Sequence, residues 1–314
     1  MAMAMRSAMV GPMADRDGNG WVTCAQGHRH WGRHGAAGLL AYASLPGGGT
    51  GVLLQRRSWW INYGGTWAPP GGARDSHESA MAAALREAEE ECGLPPAAVT
   101  VFGVLTDDHG GWTYQTVVGS AREPVPVRST SSETSQVSWV PEEDIAGLKL
   151  HPGFSERWPV LREALQPLSI IVDGANVMGS RPDGWWRDRA AAARRLRDQL
   201  IALAARGLGS LPESMHAPAL DEWFPDYVLV VEGGARSVAA AHGGGKGQGW
   251  PANRVWVLAA RGSGDDTIAE AAREIQGCRL VVTADRELRE RCLAAGASVT
   301  GPGWLLSRLG NARR

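Results

Sequence analysis

Up to about residue 165 the chain alternates short apolar runs with Gly-rich turns. The runs at 37–43, 51–56, 100–106, 113–119 and 136–140 each have the length and bounding residues of a strand. Between the second and third lies 78–92, Ala-rich and without internal Gly or Pro. It reads as a helix with Ser76 as N-cap, Gly93 as its stop and Pro95 beyond. Met81, Ala84, Leu85 and Ala88 give that helix a buried side, and 155–165 reads as a closing helix. Strands around one central helix form an α+β pattern. After Gln166-Pro167, a short hinge, the periodicity changes. Strands at 168–172, 227–231, 254–260 and 279–283 now alternate with helices at 187–206, 267–276 and 286–295, the pattern of a parallel, doubly wound α/β sheet. The expected organisation is a disordered 1–20, a first domain at 21–166 and a second at 167–314. The long polar connections at 207–226 and 242–251 read as mobile.

The chemistry concentrates first in the helix at 78–92. Gly72, Glu78, Arg86, Glu87, Glu90, Glu91 and Gly93 stand in the register G-x5-E-x7-R-E-U-x-E-E-x-G-U, with Ala88 and Leu94 at the apolar positions U. With background usage of about 7% per fixed residue, such a coincidence arises at about 10⁻⁸ per start position. Glu87 and Glu91 are four apart and Glu90 is three from Glu87, so their carboxylates crowd one face. Like charges at that spacing destabilise a helix, and a hard divalent cation with oxygen ligands removes the cost. Trp67-Ala-Pro-Pro-Gly71-Gly72 forms a tight turn in which backbone can approach a metal or a diphosphate.

This register resembles the Nudix box, and the resemblance implies an α+β Nudix sandwich that hydrolyses the diphosphate linkage of a nucleoside diphosphate derivative or a nucleoside triphosphate. It implies that Glu87, Glu90, Glu91 and the Gly71 carbonyl hold Mg²⁺ or Mn²⁺, and that Glu78 pairs with Arg86 to brace the loop against the helix. The general base is not set by the box; Glu133, Asp107 and Asp108 are candidates outside it. Trp59, Trp60 and Tyr63 lie between the second strand and the box, where a base could stack, which makes Trp59 and Tyr63 substrate-contact candidates. Trp112 and Tyr114 alternate with apolar residues and read as core.

In the second half, acids sit at strand ends. Ile170-Ile-Val-Asp173-Gly-Ala-Asn176 ends the first strand, Val231-Glu232 ends another, Gly264-Asp265-Asp266 opens a helix, and Val281-Val-Thr-Ala-Asp285 ends the next strand. Carboxyl ends of parallel strands face one crevice, so these groups can converge. Clustered carboxylates raise one another's pKa unless a metal holds them ionised. The segment resembles the NYN branch of PIN-like ribonucleases, which have a Rossmannoid fold. That resemblance implies Asp173, Asp265, Asp266 and Asp285 as metal ligands or water activators, Asn176 as the residue orienting Asp173 or a phosphate, and RNA as a second partner. Coupling of the two halves in RNA 5′-end processing follows only from their fusion.

Composition changes the picture little. The net charge of -1 excludes a global field toward nucleic acid or membrane. The basic residues are nearly all Arg, with Lys149 and Lys246 as the only lysines. Four scattered cysteines without C-x-x-C suit a reducing cytoplasm, and no apolar run approaches a membrane span. Gly243-Gly-Gly-Lys246-Gly lacks the Ser or Thr and the upstream Gly of a phosphate loop. Arg187, Arg189, Arg194, Arg195 and Arg197 form either an RNA-steering helix or a solvated face. Cys24-x3-His28-x-His30-x3-His34 has the residue types of a zinc site but fits no common zinc spacing, and His30-Trp31 is expected to pack on the sheet instead. The rival reading of the whole chain is a nucleotide-sensing or nucleic-acid-binding regulator with a non-catalytic C-terminal half.

Overall fold

The structure, a computed structural model, describes residues 16–240 and 253–310. In the first half the elements are β1 (Trp21–Thr23), β2 (Arg29–Trp31), β3 (Ala36–Ser44), β4 (Thr50–Arg57), β5 (Trp67–Ala68), β6 (Gly71–Ala73), α1 (Ala80–Cys92), β7 (Val99–Asp108), β8 (Thr113–Ala121), β9 (Thr134–Pro141) and α2 (Pro152–Glu163). In the second they are β10 (Leu168–Asp173), α3 (Gly174–Gly179), α4 (Arg189–Arg206), β11 (Glu222–Trp223), β12 (Asp226–Val231), α5 (Ser237–Ala240), β13 (Val255–Ala259), α6 (Gly264–Glu274), β14 (Cys278–Val282), α7 (Arg286–Ala294), β15 (Ser298–Thr300) and α8 (Pro302–Gly310).

The first half is a mixed sheet between two helices. Its strand order is β11-β7-β8-β3-β4-β5, with β6 on β3 and β9 on β4, and β3 runs parallel to β8. Strand alternation sorts the side chains to two faces. Ala37, Leu39, Ala41 and Leu53 meet Ala83, Ala84 and Ala88 of α1. Leu40, Val52 and Leu54 meet Phe154, Trp158 and Leu161 of α2. The all-Ala contact on α1 lets that helix lie close to β3, and this places its carboxylates against the β6 turn.

The second half is a five-stranded parallel sheet, order β13-β12-β10-β14-β15. Leu168, Ile170 and Val172 face α3, α4 and α8, whereas Ile171 faces α6 and α7. Burial on both faces explains the continuous apolar runs. With β10 at the centre, the carboxyl ends of β10, β12 and β14 lie side by side.

Two expectations are corrected here. The connection 207–226 is pinned: β11 pairs with β7, Leu208 pairs with Trp223, and Leu208, Met215 and Trp223 are buried. Asp221 Oδ2 accepts from Thr106 N at 2.6 Å, and Phe224 N donates to Phe102 O at 2.9 Å. Arg254 closes the join, donating to the carbonyls of Phe224 and Val101. Apolar anchors inside a polar stretch turned a loop into an edge strand. Likewise, 16–18 are held on the box loop: Gly18 N donates to Asp75 Oδ1 at 2.7 Å and Ser76 N to Asp17 Oδ1 at 2.9 Å. Residues 1–15 and the 242–251 connection lie outside the described residues.

A chain truncated after Gln166 would leave the β7 edge bare and uncover the partners of Leu220 and Phe224. It is expected to melt several degrees below the first-half transition of the full chain, or to self-associate. Thermal melts with size-exclusion chromatography of residues 16–166 check this; an unchanged melting temperature and a monomer would show that β11 contributes nothing.

Candidate functional site

The Glu-rich helix begins at Ala80, two residues later than the sequence suggests. Ser79, not Ser76, is the N-cap of α1, its hydroxyl accepting from Ala82 N at 3.1 Å. Ser76 is instead occupied by Asp17. Glu78 therefore precedes the helix and can turn back on Arg86. Arg86 Nε and Nη2 donate to the two Glu78 oxygens at 2.7 and 2.9 Å, a bidentate pair. The same guanidinium reaches Glu87 at 2.7 Å, Glu90 at 3.3 Å and the Ala73 carbonyl at 3.1 Å. One side chain thus ties the loop to the helix. At the other end Gly93 adopts φ 67° and donates to Ala88 O and Glu89 O, as expected of a helix stop.

Glu91 is not the exposed ligand its place in a charge run suggests. It is buried, and Oε2 accepts from Gln55 Nε2 at 2.6 Å and Gly71 N at 2.9 Å. Burial, then the like charge of Glu87, pushes its carboxyl up to about 7. Glu87 is also raised, chiefly by burial, with Arg86 opposing. Glu90 lies at the rim and is held by Arg16 as well as Arg86. Gln55 was missed by the sequence reading; its signal was a lone amide at the end of the apolar run 51–54. Strand alternation puts it on the α1 face with Leu53, and Thr134 fixes its amide by donating to Oε1.

The glycine pair has a steric cause. A Cβ on Gly72 would lie 2.7 Å from the Glu87 carboxylate, and one on Gly71 would lie 2.6 Å from Ala37 O and Gly38 Cα. Only glycine lets β6 press against both α1 and β3. The result is an oxygen-only donor set of two raised carboxylates and a rim carboxylate beside close-packed backbone. That suits a hard divalent cation, which would relieve the repulsion between Glu87 and Glu91.

The comparisons with known proteins agree with this geometry. The model of the NUDIX domain matches residues 32–164. A Mycobacterium tuberculosis protein named "Putative 8-oxo-dGTP diphosphatase 3" is 47% identical over 157 residues, covering 47% of this chain and 70% of that protein. The chain belongs to the Nudix family. A nucleoside triphosphate pyrophosphatase/Nudix hydrolase fusion protein of Bifidobacterium longum is 38% identical over 156 residues, 48% of this chain and 32% of the relative. Among solved structures, the Nudix hydrolase RenU from M. smegmatis is 48% identical, covering 47% of this chain and 94% of its own, with a TM-score of 0.45. Nudix hydrolases generally use divalent ions such as Mg²⁺ or Mn²⁺.

Around the Nudix site, the structure sets one of the three candidate bases, Asp107, aside. Asp107 follows Leu105 on the α2 face of β7 and is taken by Arg157 at 2.5 Å, away from α1. Asp108 closes a turn by accepting from Gly110 N at 2.8 Å. Glu133 stays exposed, its carbonyl accepting from Ser58 N at the root of the aromatic loop. In that loop Trp59 is 83% exposed and Tyr63 50%, so both present open ring faces. Trp60 packs edge-on against Trp59 at 5.7 Å, and Tyr63 edge-on against His151 at 4.6 Å. Trp112 is buried as expected.

In the second half, Asp173, Asn176, Glu232, Asp265 and Asp285 line one cavity of about 480 Å³ at the carboxyl edge of the sheet. Asp173 accepts from Asn176 N at 3.0 Å and from the buried Thr283 hydroxyl at 2.8 Å. Asn176 does not orient Asp173 through its side chain; its Oδ1 accepts from Ala284 N at 3.0 Å and so ties the β10 and β14 ends together. Asp285 N-caps α7, and Glu232 accepts from Gly264 N at 3.0 Å. Burial raises Asp173, with Asp265 and Glu232 adding to it; burial and then Asp285 raise Asp265. Asp266 does not join them. One residue further along α6 it points outward, 74% exposed, onto Arg291 at 2.7 Å. The Arg-rich helix is partly self-neutralised, with Arg197 on Asp198. The loop around Lys246 lies outside the described residues. No helix among the described residues is long and apolar enough to cross a membrane.

Proposed function

We propose that the first half is a pyrophosphohydrolase acting on a nucleoside triphosphate or another nucleoside diphosphate derivative, with an oxidised purine nucleoside triphosphate as the first candidate. The carrying observation is the Glu87, Glu90 and Glu91 constellation closed by Gly71 and Gly72. The named substrate of the mycobacterial relative, at 47% identity, directs the choice among nucleotides. A bound Mg²⁺ or Mn²⁺ would neutralise the diphosphate oxygens and ready a water for in-line attack. Glu87, Glu90, Glu91 and the Gly71 carbonyl would hold it. Gln55 and Gly71 N both bind Glu91 through Oε2, so neither consumes its second oxygen. Arg86 keeps the loop and helix in register, and Trp59 with Tyr63 offers ring faces for the base.

For the second half, the shared cavity of Asp173, Glu232, Asp265 and Asp285 supports an NYN/PIN-like, metal-dependent RNA-cleaving domain, with Gln166-Pro167 as the proposed boundary. Asp266 is left out of that site, and Asn176 braces it. Processing of an RNA 5′ end before cleavage is the reading that would join the two activities.

Turnover of 8-oxo-dGTP, dGTP, ADP-ribose and dinucleoside polyphosphates with Mg²⁺ tests the first site. At least one is expected to be hydrolysed in a strictly metal-dependent way, with 8-oxo-dGTP preferred over dGTP. Equal rates on the two would remove the oxidised purine; no turnover of any nucleotide would favour a sensing role.

A further inference from the structure

Apart from both proposed active sites, the N-terminal hairpin carries a third donor cluster. Cys24, His28 and His30 meet His109 so that one ligand atom from each lies within 4.8 Å of all the others. The local spacing pointed to His34 as the fourth member, but His34 sits 3.6 Å from Asp17 instead. His109 comes from the β7–β8 turn, brought there by two backbone links: Ala25 N donates to Gly110 O at 2.8 Å, and His109 N to Trp112 O at 2.9 Å.

We propose that Cys24, His28, His30 and His109 form a structural zinc site, a role independent of either catalytic reading. The hairpin between β1 and β2 is built for it. Cys24 N donates to His28 O at 3.0 Å and Gly27 N to Cys24 O at 2.9 Å, with Gly27 at φ 83°, so the thiol and the His28 ring emerge side by side. Cys24 is 5% exposed. His30 stacks on Trp112 with centroids 4.0 Å apart, which fixes its ring plane. The packing that sequence analysis expected for His30 is therefore present, and it orients the ring. Trp31 instead points outward against Trp21.

Two further observations point to a ligand. His30 Nε2 and His109 Nδ1 are buried and have no hydrogen-bond partner among the described residues, a costly state that a metal bond would end. On its far side, His109 Nε2 lies 3.5 Å from Asp107 Oδ2, the carboxylate–histidine pairing that typically backs a metal-bound imidazole. One thiolate and three imidazoles suit Zn²⁺, whose tetrahedral shell has donors about 3.5 Å apart, a modest contraction of the observed cluster. The site would also solve a mechanical problem. β1 and β2 form a separate two-stranded sheet of three residues per strand, which is marginal alone. Zinc would fasten it to the β7–β8 turn.

Untagged full-length protein, purified and dialysed, should retain about one equivalent of zinc per chain. After exchange with Co²⁺ in excess Mg²⁺, it should show the d–d bands of tetrahedral cobalt and a thiolate-to-cobalt charge-transfer band. Cys24→Ala and the exposed-site His28→Ala should each lose the metal, while Glu90→Gln should keep both metal and spectrum. Asp107→Asn should weaken zinc binding about tenfold. A wild-type protein without stoichiometric zinc and without the charge-transfer band would overturn the site, a result that needs no variant to fold. Unchanged zinc content in Cys24→Ala would overturn it as well.

Discussion

Replacing Glu91 with Gln is expected to lower Mg²⁺-dependent nucleotide hydrolysis by on the order of 10²-fold or more, and at the same time to raise the melting temperature of the metal-free protein. The second effect follows from burial. In the folded, metal-free chain the Glu91 carboxyl is pushed from 4.5 up to about 7. A raised folded-state pKa gives stability that is fully present below about 4.5 and is lost as pH rises through about 7. At pH 8 the cost is on the order of 3 kcal/mol, from a shift of that size. Gln keeps an acceptor for Gly71 N and Gln55 while removing the charge beside Glu87. Metal binding requires the carboxylate, so Mg²⁺ affinity of the wild type should also fall as pH drops below about 7. Glu90→Gln provides the contrast: at the rim, between Arg16 and Arg86, it should lose activity without gaining metal-free stability. Melts in chelator at pH 5 and pH 8, beside turnover, separate the outcomes. If Glu91→Gln melts lower than wild type at pH 8, the carboxylate is stabilising and the burial argument is wrong.

Asp173→Asn carries the second large effect. It is expected to abolish Mn²⁺- or Mg²⁺-dependent cleavage of a labelled single-stranded RNA while leaving nucleotide hydrolysis untouched, because the two sites lie on different sheets. Metal-free stability should hold or rise. Asn caps a helix as well as Asp does, so the bond to Asn176 N survives, and the repulsion from Asp265 and Glu232 is relieved. Asp173→Ala, by contrast, loses the cap and should cost about 1 kcal/mol. Asp266→Asn, facing Arg291, should leave cleavage near wild type. A wild type that never cleaves RNA under these conditions would make the acids of this cavity caps and turn-formers, and the C-terminal half a binding or structural module.

Residue spacing alone determined the Nudix box, because its members are neighbours along one helix and the loop before it. Three- and four-residue separations dictate a shared face wherever α1 is placed, so Glu87, Glu90 and Glu91 were legible without a fold. The bracing of Glu78 by Arg86 was legible too, through the family resemblance. The strands and helices were readable for the same local reason: periods of 2 and 3.6 separate buried from exposed positions. What only tertiary structure decided is everything that depends on which strand lies beside which. Burial of Glu91 comes from β4 delivering Gln55 and β6 delivering Gly71 to its flank. Asp107 was lost as a base because alternation along β7 turns it toward α2 and Arg157. Asp266 parted from Asp265 because adjacent helix residues point about 100° apart. The fastening of 207–226 to β7 and the meeting of His109 with Cys24 each join segments far apart in the chain. Such contacts are selected by sheet order and apolar anchors, and no local period encodes them.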